Sequence, residues 1–190
     1  MRKIPDARPV SESITVLTEL MIPSYANFGG KVHGGILLSL MDKVAYVCAS
    51  KHCSCYVVTV AVEGVEFLNP VEVGDLVTIR ASVNFTGRTS MIVGMRVESF
   101  NPRNGESRHT NSCYFTMAAK DDEGKLQEVP ALILRTPEDL LRFYEGKLIR
   151  DLSRQKRGLL ARDFSESNAA EMARVCEAER CRLEFDPGML

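Results

Sequence analysis

Four runs of alternating apolar and polar residues, between residues 56 and 119, constrain the fold of this chain most strongly. They cover residues 56–68, 75–85, 89–100 and 109–119. Alternation with a period of two is typical of strands that bury one face. The segments NPVEVGD, FTGRTS and NPRNGES lie between the runs and have the composition of turns. Strands joined in this way predict an antiparallel sheet.

The apolar positions of these runs predict which face of each strand is buried. In the first run the apolar set is Val58, Val60 and Val62, followed by Val65 and Phe67. The change of parity at Gly64 predicts a bulge there. The later sets are Val77, Ile79, Ala81, Val83 and Phe85, then Met91, Val93, Met95 and Val97, then Cys113, Phe115 and Met117.

One long helix is predicted over residues 34–50, which contain no proline and no glycine after Gly35. It is apolar around its circumference, which predicts burial on all sides. A strand is predicted before it at 14–22. The order of strand, long helix and four strands indicates an α+β architecture in which the sheet packs against the helix. Asp42 lies near the middle of this helix, where a buried carboxylate is costly unless a partner or substrate uses it.

A second region begins after residue 135. Residues 1–135 contain 28 charged residues, whereas the much shorter 136–190 contains 21. Thr136 can cap a helix, Pro137 suits its first position, and acidic residues follow near its positive end. Leu141, Tyr144, Leu148 and Leu152 form one apolar stripe, and a second helix is expected from a cap near Asp163 or Ser165. We therefore predict a domain at 1–135 and a charged helical C-terminal extension at 136–190.

Composition and charge exclude several classes of protein. A net charge of −1 gives no basic field for nucleic acid, and no apolar run reaches the roughly 20 residues of a membrane span. The N-terminus has no apolar signal core, so we expect a cytoplasmic protein in which the six cysteines are reduced. The HCSC segment at 52–55 has ligand types for a metal, but no second cluster follows at zinc-site spacing. Ordinary thiols are the favoured interpretation, and we expect no metal site.

The segment ANFGGKVHGGILLSLMDKVAYVCA (26–49) resembles the active-site segment of the acyl-CoA thioesterases with a hotdog fold. In that family an asparagine precedes a loop that ends in His/Phe-Gly-Gly, and a carboxylate follows on the helix. Three later blocks, VVTVAVEGVEFLNPVEVGDLV, GRTSMIVGMRV and YFTMAAKDDEGKLQEVP, resemble the family's following strands in the expected order. The resemblance covers about residues 10–135 and is closest to the bacterial type with a single hotdog domain.

This resemblance implies a fold, an activity and an assembly. The fold is an antiparallel sheet wrapped around a central helix, and the activity is hydrolysis of acyl-CoA to a fatty acid and CoA. No cofactor is implied, since CoA is part of the substrate. The family forms dimers, often assembled as trimers of dimers. Each active site then lies at a dimer interface, where Asn27 of one subunit faces Asp42 of the other.

The residue chemistry agrees with this assignment. Asp42 is eight residues beyond Gly34, about 12 Å along the helix axis, so it cannot cap the helix. It can activate water for attack on a thioester, which we favour, or attack the carbonyl itself through an anhydride. Free backbone N–H groups at Gly34 and Gly35 suit the resulting oxyanion. Asn27 can hold the water or the carbonyl oxygen. The predicted catalytic residues are Asn27, Asp42 and Gly35.

The remaining candidates are predicted to bind substrate. His33 and Gly34 precede or open the helix, and Thr59 is a candidate because the family places a polar strand residue near the reacting centre. The turn containing Arg88, Thr89 and Ser90 suits the CoA moiety, Arg88 through a phosphate.

Two other functions remain open at this stage. A hotdog dehydratase or hydratase usually needs a histidine paired with a carboxylate, and His33 and Asp42 supply those residue types. A non-catalytic protein that binds acyl-CoA with the same pocket is the third hypothesis. The surrounding blocks resemble thioesterases better than hydratases, and the presence of both Asp42 and Asn27 speaks against a protein that only binds.

Overall fold

The structure, a computed structural model, describes residues 6–166 and 168–178 and the single residues 181, 184 and 186. The strands are β1 (Ala7–Pro9), β2 (Thr15–Leu20), β3 (Tyr56–Glu63), β4 (Leu76–Thr86), β5 (Ser90–Asn101), β6 (Glu106–Lys120) and β7 (Ala131–Ile133). The helices are α1 (Gly34–Cys53), α2 (Pro137–Glu166) and α3 (Ala169–Ala178). Short 3-10 turns occupy Val10–Glu12 and Pro23–Tyr25.

Five strands form one antiparallel sheet in the order β2-β4-β5-β6-β3. Helix α1 contacts all five strands of this sheet. The sheet therefore wraps around the helix, which confirms the predicted α+β hotdog architecture. Strands β2 and β3 are the two edges, and β3 follows α1 directly in the chain.

The core forms between one side of α1 and the inner face of the sheet. The buried residues of α1 are Leu37, Leu40, Met41, Val44, Ala45, Cys48, Ala49, His52 and Cys53. The predicted apolar sets of β4, β5 and β6 are all buried, but residues 81–85 of β4 and 91–95 of β5 are buried without interruption, so burial does not alternate in those stretches. Burying each large aliphatic side chain contributes about 1.5–3 kcal/mol, so this interface holds α1 in place.

The expectation that α1 is buried on all sides is wrong for the single chain. Leu38, Asp42 and Tyr46, spaced by one turn each, are exposed, as are Lys43 and Val47. The sheet covers only one side of a helix, and these residues lie on the other side. Apolar composition alone does not distinguish burial within the chain from burial against something else.

Strand β3 differs from its prediction in two respects. Its register breaks between Thr59 and Ala61, not at Gly64, which follows the strand with a φ of 63°. Val60 and Val62 are 57% and 44% exposed, so this apolar set is not in the core. The buried residue is Val57, and Thr59 shares its side of the strand. As an edge strand, β3 has neighbours on one flank only, so its apolar residues stay uncovered.

Two short strands were missing from the sequence-based prediction. Strands β1 and β7 pair in parallel, and each has only three residues, too few to show a period. The guanidinium of Arg8 in β1 donates to the Lys51 carbonyl at 2.7 Å. This bond ties the small sheet to the C-terminal end of α1.

The predicted cap of α2 is confirmed. The Asp139 N–H donates to Thr136 Oγ1 at 3.1 Å, and the Thr136 N–H donates to Asp139 Oδ2 at 3.0 Å. Hydrogen bonds from the backbone, first that of Arg135, lower the pKa of Asp139. This reciprocal capping box satisfies amide donors that the first turn leaves unpaired.

The junction with α3 lies later than predicted. Asp163 and Ser165 fall inside α2, and the cap of α3 is Asn168, whose Oδ1 accepts the Glu171 N–H at 3.0 Å. Packing divides the chain into two units, residues 1–150 and 151–190, whereas the predicted boundary at 135 coincides with the start of α2. Within the described residues, no helix combines the length and the apolar character needed to cross a bilayer.

Candidate active site

The carboxylate of Asp42 is bonded to the sheet through Thr59. Thr59 Oγ1 donates to Asp42 Oδ1 at 2.6 Å and lies 3.4 Å from the sulfur of Met117. In the described part of the chain, no other side-chain hydrogen bond reaches Asp42. Its Oδ2 atom is therefore open to a water molecule or a substrate. Asp42 belongs to the exposed stripe of α1, which is formed by Leu38, Asp42 and Tyr46. The Asp42–Thr59 pair joins this stripe to the helix-facing side of β3.

Apolar side chains flank this carboxylate along the helix. Leu38 lies one turn before Asp42 and Tyr46 one turn after it, and both are exposed. The Tyr46 ring meets that of Tyr56 edge to face, with centroids 6.4 Å apart. Tyr56 opens β3, so the pair marks the end of the site at which α1 finishes and β3 begins.

The N-terminus of α1 is capped by His33. The Gly35 N–H donates to His33 Nδ1 at 2.9 Å, so the prediction that this amide is free is wrong. As the acceptor of this bond, Nδ1 carries no proton. The Gly34 N–H has no hydrogen-bond acceptor among the residues that the structure describes. The free donor at the helix start is thus Gly34.

The Phe67 ring lies close to Gly34, and the His33 ring lies close to Gly35. A Cβ on Gly34 would lie 3.3 Å from Cζ of Phe67, and a Cβ on Gly35 would lie 3.1 Å from His33 Nδ1. Glycine at these two positions therefore lets the rings approach the backbone closely. Phe67 was not among the predicted site residues, because only the fold brings its loop to the start of α1.

Asn27 closes the loop that precedes α1. Its Oδ1 accepts the N–H groups of Gly29 at 2.8 Å and Lys31 at 3.2 Å. Its Nδ2 group makes no hydrogen bond to any described residue and can donate elsewhere. No hydrogen bond joins Asn27 to Asp42 within the described chain, since Asp42 lies about 12 Å along α1 from Gly34. The single chain does not bring these two predicted catalytic residues together.

The turn containing Arg88, Thr89 and Ser90 joins β4 to β5. The Gly87 N–H donates to the Ser90 carbonyl at 2.8 Å, which closes the turn. The carbonyls of Arg88 and Thr89 accept backbone N–H groups, at 2.9 and 3.0 Å, from Val129 and Ala119 respectively. Arg88 is exposed, and among the described residues no ion pair engages its guanidinium.

Sheet register places this turn relative to Thr59. Ser90 pairs with Ala118 on β6, and the adjacent Met117 pairs with Thr59 on β3. Two strand spacings amount to about 10 Å, so the turn lies that far across the sheet from the Thr59 row. It sits toward Tyr56, whose partner on β6 is Lys120. The CoA-binding candidates are therefore at the Tyr46–Tyr56 end of the site.

The HCSC segment makes structural contacts. His52 is fully buried, and its Nε2 donates to the Pro130 carbonyl at 2.9 Å. The Cys53 thiol donates to the Cys55 carbonyl at 3.6 Å. No three potential metal ligands come together among the residues that are described.

Comparison with known proteins places this architecture in a family. The family model of the thioesterase superfamily matches residues 29–106. Protein VdlD of Helicobacter pylori is 45% identical over 135 residues, which cover 71% of this chain and 76% of that protein.

Two solved structures match most of the chain. A hexameric acyl-CoA thioesterase is 36% identical, with a TM-score of 0.76 over 81% of this chain and 98% of its own. An acyl-CoA hydrolase from Staphylococcus aureus, solved with butyryl-CoA, CoA and CoA disulfide, is 27% identical, with a TM-score of 0.74 over 84% of this chain and 97% of its own. With these identities over nearly complete partner chains, this chain belongs to the thioesterase superfamily, as one of its hotdog acyl-CoA thioester hydrolases.

Proposed function

We propose that this protein hydrolyses fatty acyl-CoA to a free fatty acid and CoA, with Asp42 as the general base. The observation that carries the proposal is the Thr59–Asp42 hydrogen bond of 2.6 Å. It orients a carboxylate that no ion pair neutralises in the described chain and leaves its second oxygen open. The hexameric thioesterase and the CoA-bound hydrolase support the choice of substrate.

The reaction can be written with these groups. Oδ2 of Asp42 takes a proton from water, and the resulting hydroxide attacks the thioester carbonyl. The oxyanion accepts the Gly34 N–H of a second copy of the chain, at the positive end of its α1, because Gly34 and Asp42 of one chain lie about 12 Å apart. Collapse of the intermediate breaks the C–S bond, and the proton on Asp42 passes to the departing thiolate. The balance needs water alone, so no cofactor is proposed. Direct attack by Asp42 through an anhydride remains the alternative.

Gly35 serves the oxyanion only when the His33 ring turns away, because His33 Nδ1 holds its amide in this conformation. We assign His33 the positioning of the helix start and Gly34 the first amide donor. Gly35 joins as a second donor after that rotation. Two amide donors are the usual number at a tetrahedral acyl intermediate.

The proposed site is completed by a second copy of the chain. Asn27 lies before α1, whereas Asp42 is about 12 Å along it, so the Nδ2 group of Asn27 meets the carboxylate of a partner more readily than its own. The uncovered residues on α1 and β3 support association through this face: Leu38, Tyr46, Val47, Tyr56, Val60 and Val62. Edge strand β3 offers unpaired backbone groups beside them. We propose a dimer, assembled as a trimer of dimers, and the hexameric state of the relative supports an assembly of six chains.

The turn at Arg88, Thr89 and Ser90 is proposed to bind the CoA moiety. The exposed guanidinium of Arg88 suits a phosphate, and the two hydroxyl groups beside it add hydrogen bonds. We propose a cytoplasmic location, since the six free cysteines suit a reducing compartment.

One observation weighs against the hydratase alternative. That chemistry needs a histidine paired with a carboxylate, but Asp42 is bonded to Thr59 and His33 to the Gly35 amide. Within the described chain, His33 and Asp42 form no pair with each other. A protein that only binds acyl-CoA would have no chemical role for the open oxygen of Asp42.

Release of free thiol from palmitoyl-CoA and butyryl-CoA tests the function. We expect the wild-type protein to release CoA and Asp42→Asn to lose at least about a hundred-fold in kcat while keeping its circular dichroism spectrum. Asp121→Asn, the same substitution in an exposed turn, is the matched control and should keep full activity. Hydration of an enoyl-CoA without thiol release would support the hydratase, and binding without turnover would support the binding protein.

A further inference from the structure

The ring of Phe28 extends completely into solvent in the single chain. Its exposed fraction is 114%, whereas Leu141, next in exposure among the large apolar residues that the structure describes, reaches 66%. An aromatic ring in water forgoes the free energy that its burial would provide. A residue so placed indicates a surface that something else covers.

The loop that presents this ring is held by several bonds. The Asn27 N–H donates to the Lys31 carbonyl at 2.7 Å, and the Gly30 N–H donates to the Asn27 carbonyl at 3.0 Å. Gly30 takes a φ of 76°, which favours glycine, and Lys31 forms an ion pair with Glu72. Phe28 therefore stands at the tip of a braced turn, and its exposure is not that of a loose chain end.

We propose that Phe28 enters the substrate site of a second copy of this chain and contacts the acyl chain, so that it sets the chain-length preference. The inference rests on the proposed function, in which Asn27 meets the carboxylate of the partner. Adjacent Cα atoms are about 3.8 Å apart, so Phe28 accompanies Asn27 to the exposed stripe of α1. That stripe offers two apolar residues beside Asp42: Leu38 on one side and Tyr46 on the other.

The turn proposed to bind the CoA moiety indicates on which side of Asp42, that of Leu38 or that of Tyr46, the acyl chain lies. Arg88, Thr89 and Ser90 lie at the Tyr46–Tyr56 end of the site, so the pantetheine arm runs from Asp42 toward Tyr46. The acyl chain leaves the thioester in the opposite direction, over Leu38 and toward the start of α1. An aromatic ring and a hydrocarbon chain are matched partners for burial, which favours the acyl side for Phe28.

Steady-state kinetics on acetyl-, butyryl-, octanoyl- and palmitoyl-CoA test the contact. We expect Phe28→Ala to lower kcat/KM about ten-fold for palmitoyl-CoA and less than about two-fold for acetyl-CoA, while Phe28→Leu keeps most of the wild-type profile. The matched control is Phe100→Ala, a half-exposed phenylalanine near the far end of β5, which should leave the profile unchanged. Equal losses on all four substrates, or no loss on any, would overturn the proposal. So would dissociation of the Phe28→Ala oligomer in light scattering, because Phe28 would then be an assembly contact.

Cross-linking tests the placement without any measurement of activity. The variant carrying Phe28→Cys and Leu38→Cys should form a disulfide between two chains under mild oxidation, above the background of the six native cysteines. Phe28→Cys with Phe100→Cys is the control pair and should not. If the cross-link forms but the wild-type protein hydrolyses no acyl-CoA, the proposed function is wrong and the placement of Phe28 stands. If the wild-type protein hydrolyses acyl-CoA but the Phe28–Leu38 cross-link does not form, only the placement is wrong.

Discussion

Thr59 on edge strand β3 donates a 2.6 Å hydrogen bond to Asp42 on the central helix. The two residues are seventeen positions apart, Asp42 on α1 and Thr59 on β3, the element that follows α1 in the chain. The bond fixes one carboxylate oxygen and leaves the other open. It thus defines the orientation in which Asp42 meets a water molecule.

Loss of the Thr59 hydroxyl should reduce the rate more than it reduces binding. Thr59→Val keeps the shape of the side chain, removes the donor and is expected to lower kcat about ten- to a hundred-fold, with little change in KM. Thr59→Ser keeps the donor and should stay within about three-fold of the wild type. Steady-state assays of thiol release give kcat and KM for both variants. A Thr59→Val enzyme of full activity would show that Asp42 needs no such support.

The imidazole of His33 should contribute to stability as a helix cap. His33→Ala leaves the Gly35 N–H without its acceptor and is expected to lower the free energy of unfolding by about 1 kcal/mol. His33→Asn restores a capping oxygen and should recover most of this loss. Urea unfolding compares the three proteins. If both variants unfold like the wild type, the bond to Gly35 has no net stabilising effect.

Two glycines of α2 should respond in opposite ways to the same substitution. A Cβ on Gly146 would lie 2.9 Å from Cβ of Phe85 and 3.2 Å from Cβ of Asn84, so Gly146→Ala should lower the free energy of unfolding by about 1–3 kcal/mol. Gly158 has open space around it, and Gly158→Ala should raise helix stability by up to about 1 kcal/mol. Thermal and urea unfolding of the two variants give the signs. Stabilisation by Gly146→Ala would contradict this close packing.

Burial of His52 predicts a dependence of stability on pH. Burial lowers the pKa of its ring, although the bond to the Pro130 carbonyl acts in the opposite direction. Its Nδ1 is buried and has no hydrogen-bond partner among the described residues, so a proton there would be unsatisfied. As the pH falls below the ordinary histidine pKa, the unfolded chain takes up a proton that the folded chain does not. The free energy of unfolding should then fall by up to about 1.4 kcal/mol per pH unit, until the pH passes the folded-state pKa.

His52→Gln keeps a donor for Pro130 and removes the titration. The difference in unfolding free energy between this variant and the wild type should be constant above the ordinary histidine pKa and shift in favour of the variant below it. His33 and His109 are present in both proteins, so their contributions cancel. If the unfolding free energies of the two proteins change in parallel across this pH range, the His52 ring titrates normally in the folded chain.

Much of the fold was predictable because it depends on local patterns. The buried apolar sets of β4, β5 and β6 and the cap at Thr136 depend on near neighbours in the chain, and the structure agrees with both. The paired strands β1 and β7 were missed, since three residues show no period. The bulge of β3 was misplaced because its position depends on pairing with β6, a partner more than fifty residues away.

By itself, the sequence determined the order of the three α-helices and of the five strands of the main sheet, together with the residue types of the site, including Asn27, Asp42 and Thr59. Only the tertiary structure decided which of these groups meet. It bonded Asp42 to Thr59, assigned the Gly35 amide to His33, and left Asn27 away from Asp42 within one chain. It also turned one side of the apolar helix outward. The physical reason is that local patterns encode periodicity and capping, whereas contacts between distant side chains depend on sheet register and on which face of α1 the sheet covers.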